Sequence, residues 1–87
     1  MVNIDYDMIV FKEGDAFIAY CPELDISSCG DSVEHSREML KTAVKLFIDE
    51  AERMGTLGEI LMECNYSKDD SGKWIPSKIL AAELVSI

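Results

Sequence analysis

Residues 19–36, AYCPELDISSCGDSVEHS, decide how this chain folds. The segment ends one strand (Phe17-Ile18-Ala19-Tyr20-Cys21), turns, lays down a short strand from Ile26 to Gly30, and opens the one long helix. Pro22 has no N–H to give a ladder, so it closes the strand or marks an edge. Gly30-Asp31 permits a sharp bend. Ser32 stands at the N-cap position, and Glu34 in the first turn suits the positive helix end. His35 replaces the usual Glu of a capping box, which leaves the box incomplete.

Upstream, residues 4–11 read I-D-Y-D-M-I-V-F. Ile4, Tyr6, Met8 and Val10 share one face of a strand; Asp5, Asp7, Ile9 and Phe11 share the other. Lys12-Glu13-Gly14-Asp15 is a polar loop of hairpin type, and residues 16–21 form the return strand. The first third is therefore an antiparallel meander.

Downstream, a helix spans residues 33–54, ended by Gly55 at C′. Val33, Ser36, Leu40, Ala43, Val44, Phe47, Ala51 and Met54 fall on one face, with Ile48 at its edge. Arg37, Lys41 and Lys45 flank that stripe, their stems covering the rim of the core. Met39 and Leu46 lie off the stripe and need another partner, which points to association between subunits. Thr56-Leu57-Gly58-Glu59 has capping-box spacing and starts a short helix through Glu63. Residues 65–73 read as loop, and Trp74 packs over the core edge with Pro76 stopping any helix. Residues 78–87 read as a last strand, apolar on both faces and so internal or covered by a partner. The order β-β-β-α-(α)-β lets that strand pair in parallel with the first through a right-handed crossover. The expected class is α+β in one domain, residues 1–87, with the helix on one sheet face. The same order begins the ribonuclease H fold.

Bulk properties narrow the function. Seventeen acids against eight Lys and Arg give a net charge of −9 in 87 residues. Phosphates repel such a chain, whereas a basic protein attracts it. No apolar run approaches the ~20 residues of a membrane span and no signal-peptide pattern opens the chain, so the cytoplasm is the default location. Cys21, Cys29 and Cys64 are odd in number and widely spaced, which fits neither a disulfide framework nor a metal knuckle. No cofactor is expected. Two-metal hydrolysis needs converging carboxylates, and spacing supplies only Asp5 and Asp7, with Glu50 or Glu83 as conceivable neighbours. His35 has no placed Ser, Cys or Asp partner for a triad. Catalysis is not expected; a metal-dependent nuclease is the remote alternative.

The stretch Tyr20-Cys21-Pro22-Glu23-Leu24-Asp25, followed by Gly30-Asp31-Ser32-Val33-Glu34, resembles the signature of the HicB-like antitoxin family. In that family a strand ends in Tyr-x-Pro-Asp/Glu-Leu, and Gly-Asp-Thr/Ser-x-Glu-Glu-Ala opens the helix. The likeness covers residues 4–54 well and the rest loosely. It departs in a shorter loop at residues 25–29 and in His35-Ser36 where Glu-Ala is usual. Many members also carry a helix-turn-helix or ribbon-helix-helix segment that is not seen here, so direct operator binding is not expected. The resemblance implies an antitoxin-like protein-binding module that covers a small basic HicA-like toxin, an mRNA-cleaving protein of double-stranded-RNA-binding fold. Glu23, Asp25, Asp31 and Glu34, clustered by the motif, are the expected contacts. Met39 and Leu46 are the expected subunit contacts in a homodimer or higher oligomer. An oligomeric scaffold with another protein partner is the alternative.

Overall fold

The computed structural model describes residues 2–87. Three strands, β1 (Ile9–Glu13), β2 (Ala16–Cys21) and β3 (Ile26–Gly30), form an antiparallel sheet in the order β1-β2-β3. A long helix, α1 (Val33–Met54), crosses one face of that sheet, mainly over β3 and β2. A short helix, α2 (Leu57–Glu63), follows, and then a separate two-stranded hairpin, β4 (Ser67–Lys68) with β5 (Trp74–Ile75). The α+β class, the meander and both helices agree with the sequence reading.

The first hairpin is tight. Glu13 pairs with Ala16, and Gly14 takes φ 63, a left-handed value that glycine adopts without Cβ strain. In register, Val10, Ala19 and Ser28 lie abreast on the face toward α1, and Phe11, Ile18 and Cys29 lie abreast on the other. Gly30 belongs to the α1 side. A Cβ there would come within 2.6 Å of Ser36 N and 2.9 Å of the His35 carbonyl carbon, so only glycine lets β3 meet the first turn of α1 this closely.

The helix start explains that approach. The Ser32 hydroxyl accepts from His35 N–H at 3.0 Å, which is the expected N-cap. The His35 ring turns back, and its Nδ1 accepts from Asp31 N–H at 3.0 Å. The histidine thus supplies the returning acceptor that the incomplete box lacked, one residue further out. Gly55 ends the helix at φ 75, and its N–H and that of Thr56 cap the Glu52 and Ala51 carbonyls. Thr56 makes no side-chain cap on α2; its hydroxyl bonds Ala51 O at 3.4 Å, so the capping box at Thr56–Glu59 does not form.

The buried line on α1 is Ser36, Leu40, Val44, Ile48 and Ala51. Ile48, read as an edge residue, is central, and Phe47 is only partly buried. Val33 and Met54, read as part of the stripe, are 49% and 63% exposed. The cause is length: a 22-residue helix runs about 33 Å and overhangs five-residue strands of about 17 Å. Around that line gather Ala19, Cys21, Leu24, Leu57, Leu61 and Tyr66.

Three strand boundaries differ from the sequence reading. β1 runs on to Glu13, so Lys12 and Glu13 pair in the ladder and the loop is Gly14-Asp15 rather than residues 12–15. Residues 4–8 do not join the β1–β2 ladder. The register carried on would set Asp7 opposite Pro22, which has no N–H. Ile4, Tyr6 and Met8 nevertheless pack on the core with Val10, as their shared face required. The expected last strand is also not formed: residues 78–87 carry no strand and are exposed. A parallel pairing does begin one segment earlier. Ile4 bridges Trp74, with Trp74 N–H donating to Asn3 O at 2.9 Å and Asp5 N–H to Trp74 O at 3.1 Å. The next rung would need an N–H from residue 76 to Asp5 O. Pro76 has none, and Asp5 O instead accepts the Tyr66 hydroxyl at 2.8 Å. The ladder stops there.

The loop over residues 65–73 is more ordered than its composition suggests. Asp69 Oδ1 accepts from Ser71 N–H, the Ser71 hydroxyl and Lys73 N–H at 2.9, 2.7 and 3.0 Å, closing the β4–β5 hairpin and holding the Asp69 carboxyl below its ordinary range. Trp74 packs on the core edge as expected. Among the described residues no helix is long and apolar enough to cross a membrane.

Leu40 is fully buried whereas Phe47 is not, so L40A should destabilise the fold by about 3–5 kcal/mol and F47A by distinctly less. E52A, on the exposed side, should change stability by less than about 0.5 kcal/mol. Urea midpoints for the three variants check the phasing of α1; an F47A loss larger than that of L40A would contradict it.

Candidate functional site

The motif from Tyr20 to Glu34 wraps β3. Its acids therefore do not meet. Glu23 and Asp25 sit in the β2–β3 turn, whereas Asp31 and Glu34 sit beyond the opposite end of β3. Six residues of extended chain put Asp25 and Asp31 roughly 20 Å apart. At the Asp31 end the β1–β2 turn adds Glu13 and Asp15, because the register places Lys12, Phe17 and Gly30 abreast. That grouping around the hairpin tip was not visible from the motif alone.

The four acids also differ in kind. Asp25, Asp31 and Glu34 are exposed. Asp25 adopts φ 54, and its Oδ1 accepts the Tyr20 hydroxyl at 2.9 Å. That bond, with some burial, raises the Tyr20 phenol above its ordinary range. Glu34 pairs with Arg37 at 3.8 Å, and Asp31 Oδ2 stands 4.0 Å from His35 Nδ1.

Glu23 turns inward instead. Its Oε1 accepts Asp7 N–H at 3.1 Å and lies 3.5 Å from Cys21 Sγ, while Oε2 is buried with no hydrogen-bond partner among the described residues. Desolvation, followed by the neighbouring Asp7, pushes the Glu23 carboxyl up. With residues 4–8 off the β1–β2 ladder, the Asp7 amide has no acceptor on β2, and the Glu23 carboxylate satisfies it. Burial likewise pushes the Cys21 thiol up to about 11, so it stays protonated. Tyr6 and Tyr66 are raised, chiefly by burial. Tyr66 was missed in the sequence reading. As the lone aromatic residue in NYSKDDSGK, it was the one signal there of a side chain seated in the core.

The acids considered for hydrolysis are dispersed. Asp5 pairs with Lys73 at 2.9 Å, Glu50 pairs with Arg53, and Glu83 lies in the exposed C-terminal segment. Among the described residues no group of three or more His, Cys, Asp or Glu side chains is placed to hold a metal ion. Met39 and Leu46 are exposed on α1, at 42% and 64%.

The cations are largely committed. On α1, Arg37, Lys41, Lys45 and Arg53 each pair with an acid of the same helix. Lys41 and Lys45 also border a cleft against Val2, Ile4 and Tyr6, in line with stems that edge the core. Lys12 and Lys68 lie over the Phe17 and Trp74 rings at 5.7 and 5.1 Å. Of 17 acids and eight cations, α1 holds five and four, so twelve acids face four lysines over the rest of the chain. The net charge thus resides off the long helix, at the sheet ends, on α2 and in the loops.

No protein-family model, curated protein or solved structure matches this chain.

The inward Glu23 carboxylate sets a pH dependence. Its folded-state affinity for a proton exceeds that of the unfolded chain, so its contribution to stability is full below the ordinary Glu range and is lost as pH rises through its raised value. E23Q keeps an acceptor for Asp7 N–H and offers an amide to the Asp7 carboxylate. It should be more stable than the parent at pH 7, with the gap closing as pH falls to the ordinary Glu range. Equal midpoints at pH 7 would place Glu23 in solvent.

Proposed function

We propose that the chain is a protein-binding module of antitoxin type, which occupies the RNA-binding surface of a small basic toxin-like protein. One observation carries the reading. The cations of α1 are paired within the helix, so the charge left for a partner is acidic, and part of it stands exposed at the two ends of the sheet. A patch evolved to hold phosphates meets there a surface of fixed carboxylates. Such complementarity mainly accelerates encounter and rejects wrong partners. The likeness of residues 20–34 to the HicB-like signature supports the same class of partner. The reading assigns no catalysis to the chain.

The inward position of Glu23 revises the contact set. Asp25 remains at one end. Asp31, Glu13 and Asp15 form the other, with Glu34 beside them and paired to Arg37. Glu23 is a positioning residue for the segment before β1.

The test is capture of the tagged protein's partner from its source, identified by mass and followed by association kinetics. The expected partner is small and basic, and its association slows as salt screens the rim charges. A chain carrying D15S, D31S and E34Q should associate more slowly with little change in unfolding midpoint, whereas E23Q should leave association unchanged. Capture of a partner that is not basic, or association indifferent to salt, would overturn the reading.

A further inference from the structure

We propose that the C-terminal arm, residues 77–87, adds as a strand to the free edge of β1 in a second copy of this chain, closing a reciprocally exchanged dimer.

Each copy holds both halves of an unmade pairing. The first half is the edge. β1 has β2 on one side and, among the described residues, no strand on the other, so part of its backbone N–H and C=O groups face solvent. Ile9 and Phe11 flank that edge, each 44% exposed, on the sheet face that α1 does not cover. The other sheet edge is a poorer receiver. β3 reads Ile-Ser-Ser-Cys-Gly, and α1 lies across it.

The second half is the arm. Leu80, Leu84 and Val85 are 88%, 96% and 72% exposed, an expensive state for three branched apolar side chains. Ile79, Ala81 and Val85 alternate with Leu80, Ala82 and Leu84, a strand pattern with no Gly or Pro after residue 76. Residues 79–85 extended span about 23 Å, enough to cover five-residue β1 from end to end.

The arm does not make this pairing within its own chain, and the reason is local. Trp74 and Ile4 already run in parallel, and the same register carried forward would bring Ile79 beside Ile9. Pro76 supplies no donor for the next rung, and the Tyr66 hydroxyl holds the acceptor it would have used. The chain leaves the ladder at that point. An arm arriving from another molecule meets no such break, because it does not have to pass residues 5–8 first. Exchange of an identical element between protomers is a low-cost route to a closed dimer.

The size is sufficient. Two arms and two receiving edges would bury on the order of 1,500–2,000 Å², the range of specific interfaces. A chain of 87 residues has a small core and gains from such cover.

The experiment is light scattering on the full chain at micromolar concentration. The expected mass is that of a dimer. L80D with L84D should yield a monomer whose helical circular dichroism is unchanged, since neither leucine touches the core. F11E should also weaken the dimer. Mixing the L80D/L84D chain with the F11E chain should restore a dimer through the one intact arm and the one intact edge. M39E with L46E should leave the dimer intact. A monomeric parent overturns the proposal, including one whose arm amides are protected from exchange by folding onto its own β1. So does a dimer that survives L80D/L84D, or one that M39E/L46E dissociates.

Discussion

Two prolines withhold a backbone donor at a point where a ladder would otherwise continue, and much of the architecture answers to that. Pro22 falls where β2 would pair with the segment before β1, and Pro76 falls where β5 would run on beside the same segment. A missing N–H leaves the opposite carbonyl without its donor, and a segment that leaves the ladder there must find side-chain partners for its remaining backbone groups. At the first site the Glu23 carboxylate takes the Asp7 amide; at the second the Tyr66 hydroxyl takes the Asp5 carbonyl. Residues 2–8 are thereby held by side chains from two distant places in the chain. They pack on the core without belonging to the sheet.

The replacements differ in cost. A tyrosine hydroxyl that donates to a carbonyl is neutral and carries its ring into the core, where Tyr66 is 4% exposed. A carboxylate must be desolvated, and one of its oxygens has no hydrogen-bond partner among the described residues. The Glu23 bond therefore orders the chain at some expense of stability at neutral pH, whereas the Tyr66 bond carries no such penalty. This asymmetry also separates the acids of the motif. Glu23 is committed to the fold, while Asp25, Asp31 and Glu34 remain available to solvent.

Local rules were sufficient where one residue decides one event. Gly14 marks the hairpin, Ser32 the helix start, Gly55 the helix end, and each boundary lies where that residue puts it. Periodicity also placed Leu40, Val44 and Ala51 inside. It could not show how far the sheet reaches beneath the helix, so the overhanging Val33 and Met54 were read as buried and Ile48 as marginal. The strand errors have a second origin. An apolar alternation states that a segment can be a strand, not that a neighbour has a free donor and acceptor opposite it. Residues 78–87 satisfy the first condition and fail the second within their own chain. The acids of the motif illustrate the same limit: proximity along the chain suggested one patch, and a five-residue strand between them made two.

The distribution of charge bears on how an acidic chain could approach both a basic protein and its own copy. At net −9, two copies repel at long range, though salt limits that repulsion to about 8 Å at physiological strength. Contact between copies is then easiest through the segment that carries least of the charge. Between Ile79 and Ile87 the only ionisable side chain is Glu83, and Lys78 precedes it with the opposite sign. The free acids lie elsewhere, at the hairpin tip, in the β2–β3 turn, on α2 and in the β4–β5 loop. On the two proposals, apolar contact and electrostatic contact fall on separate parts of the surface. A partner that neutralised the sheet-end acids would lower the repulsion between copies as well, so the two associations should favour each other rather than compete.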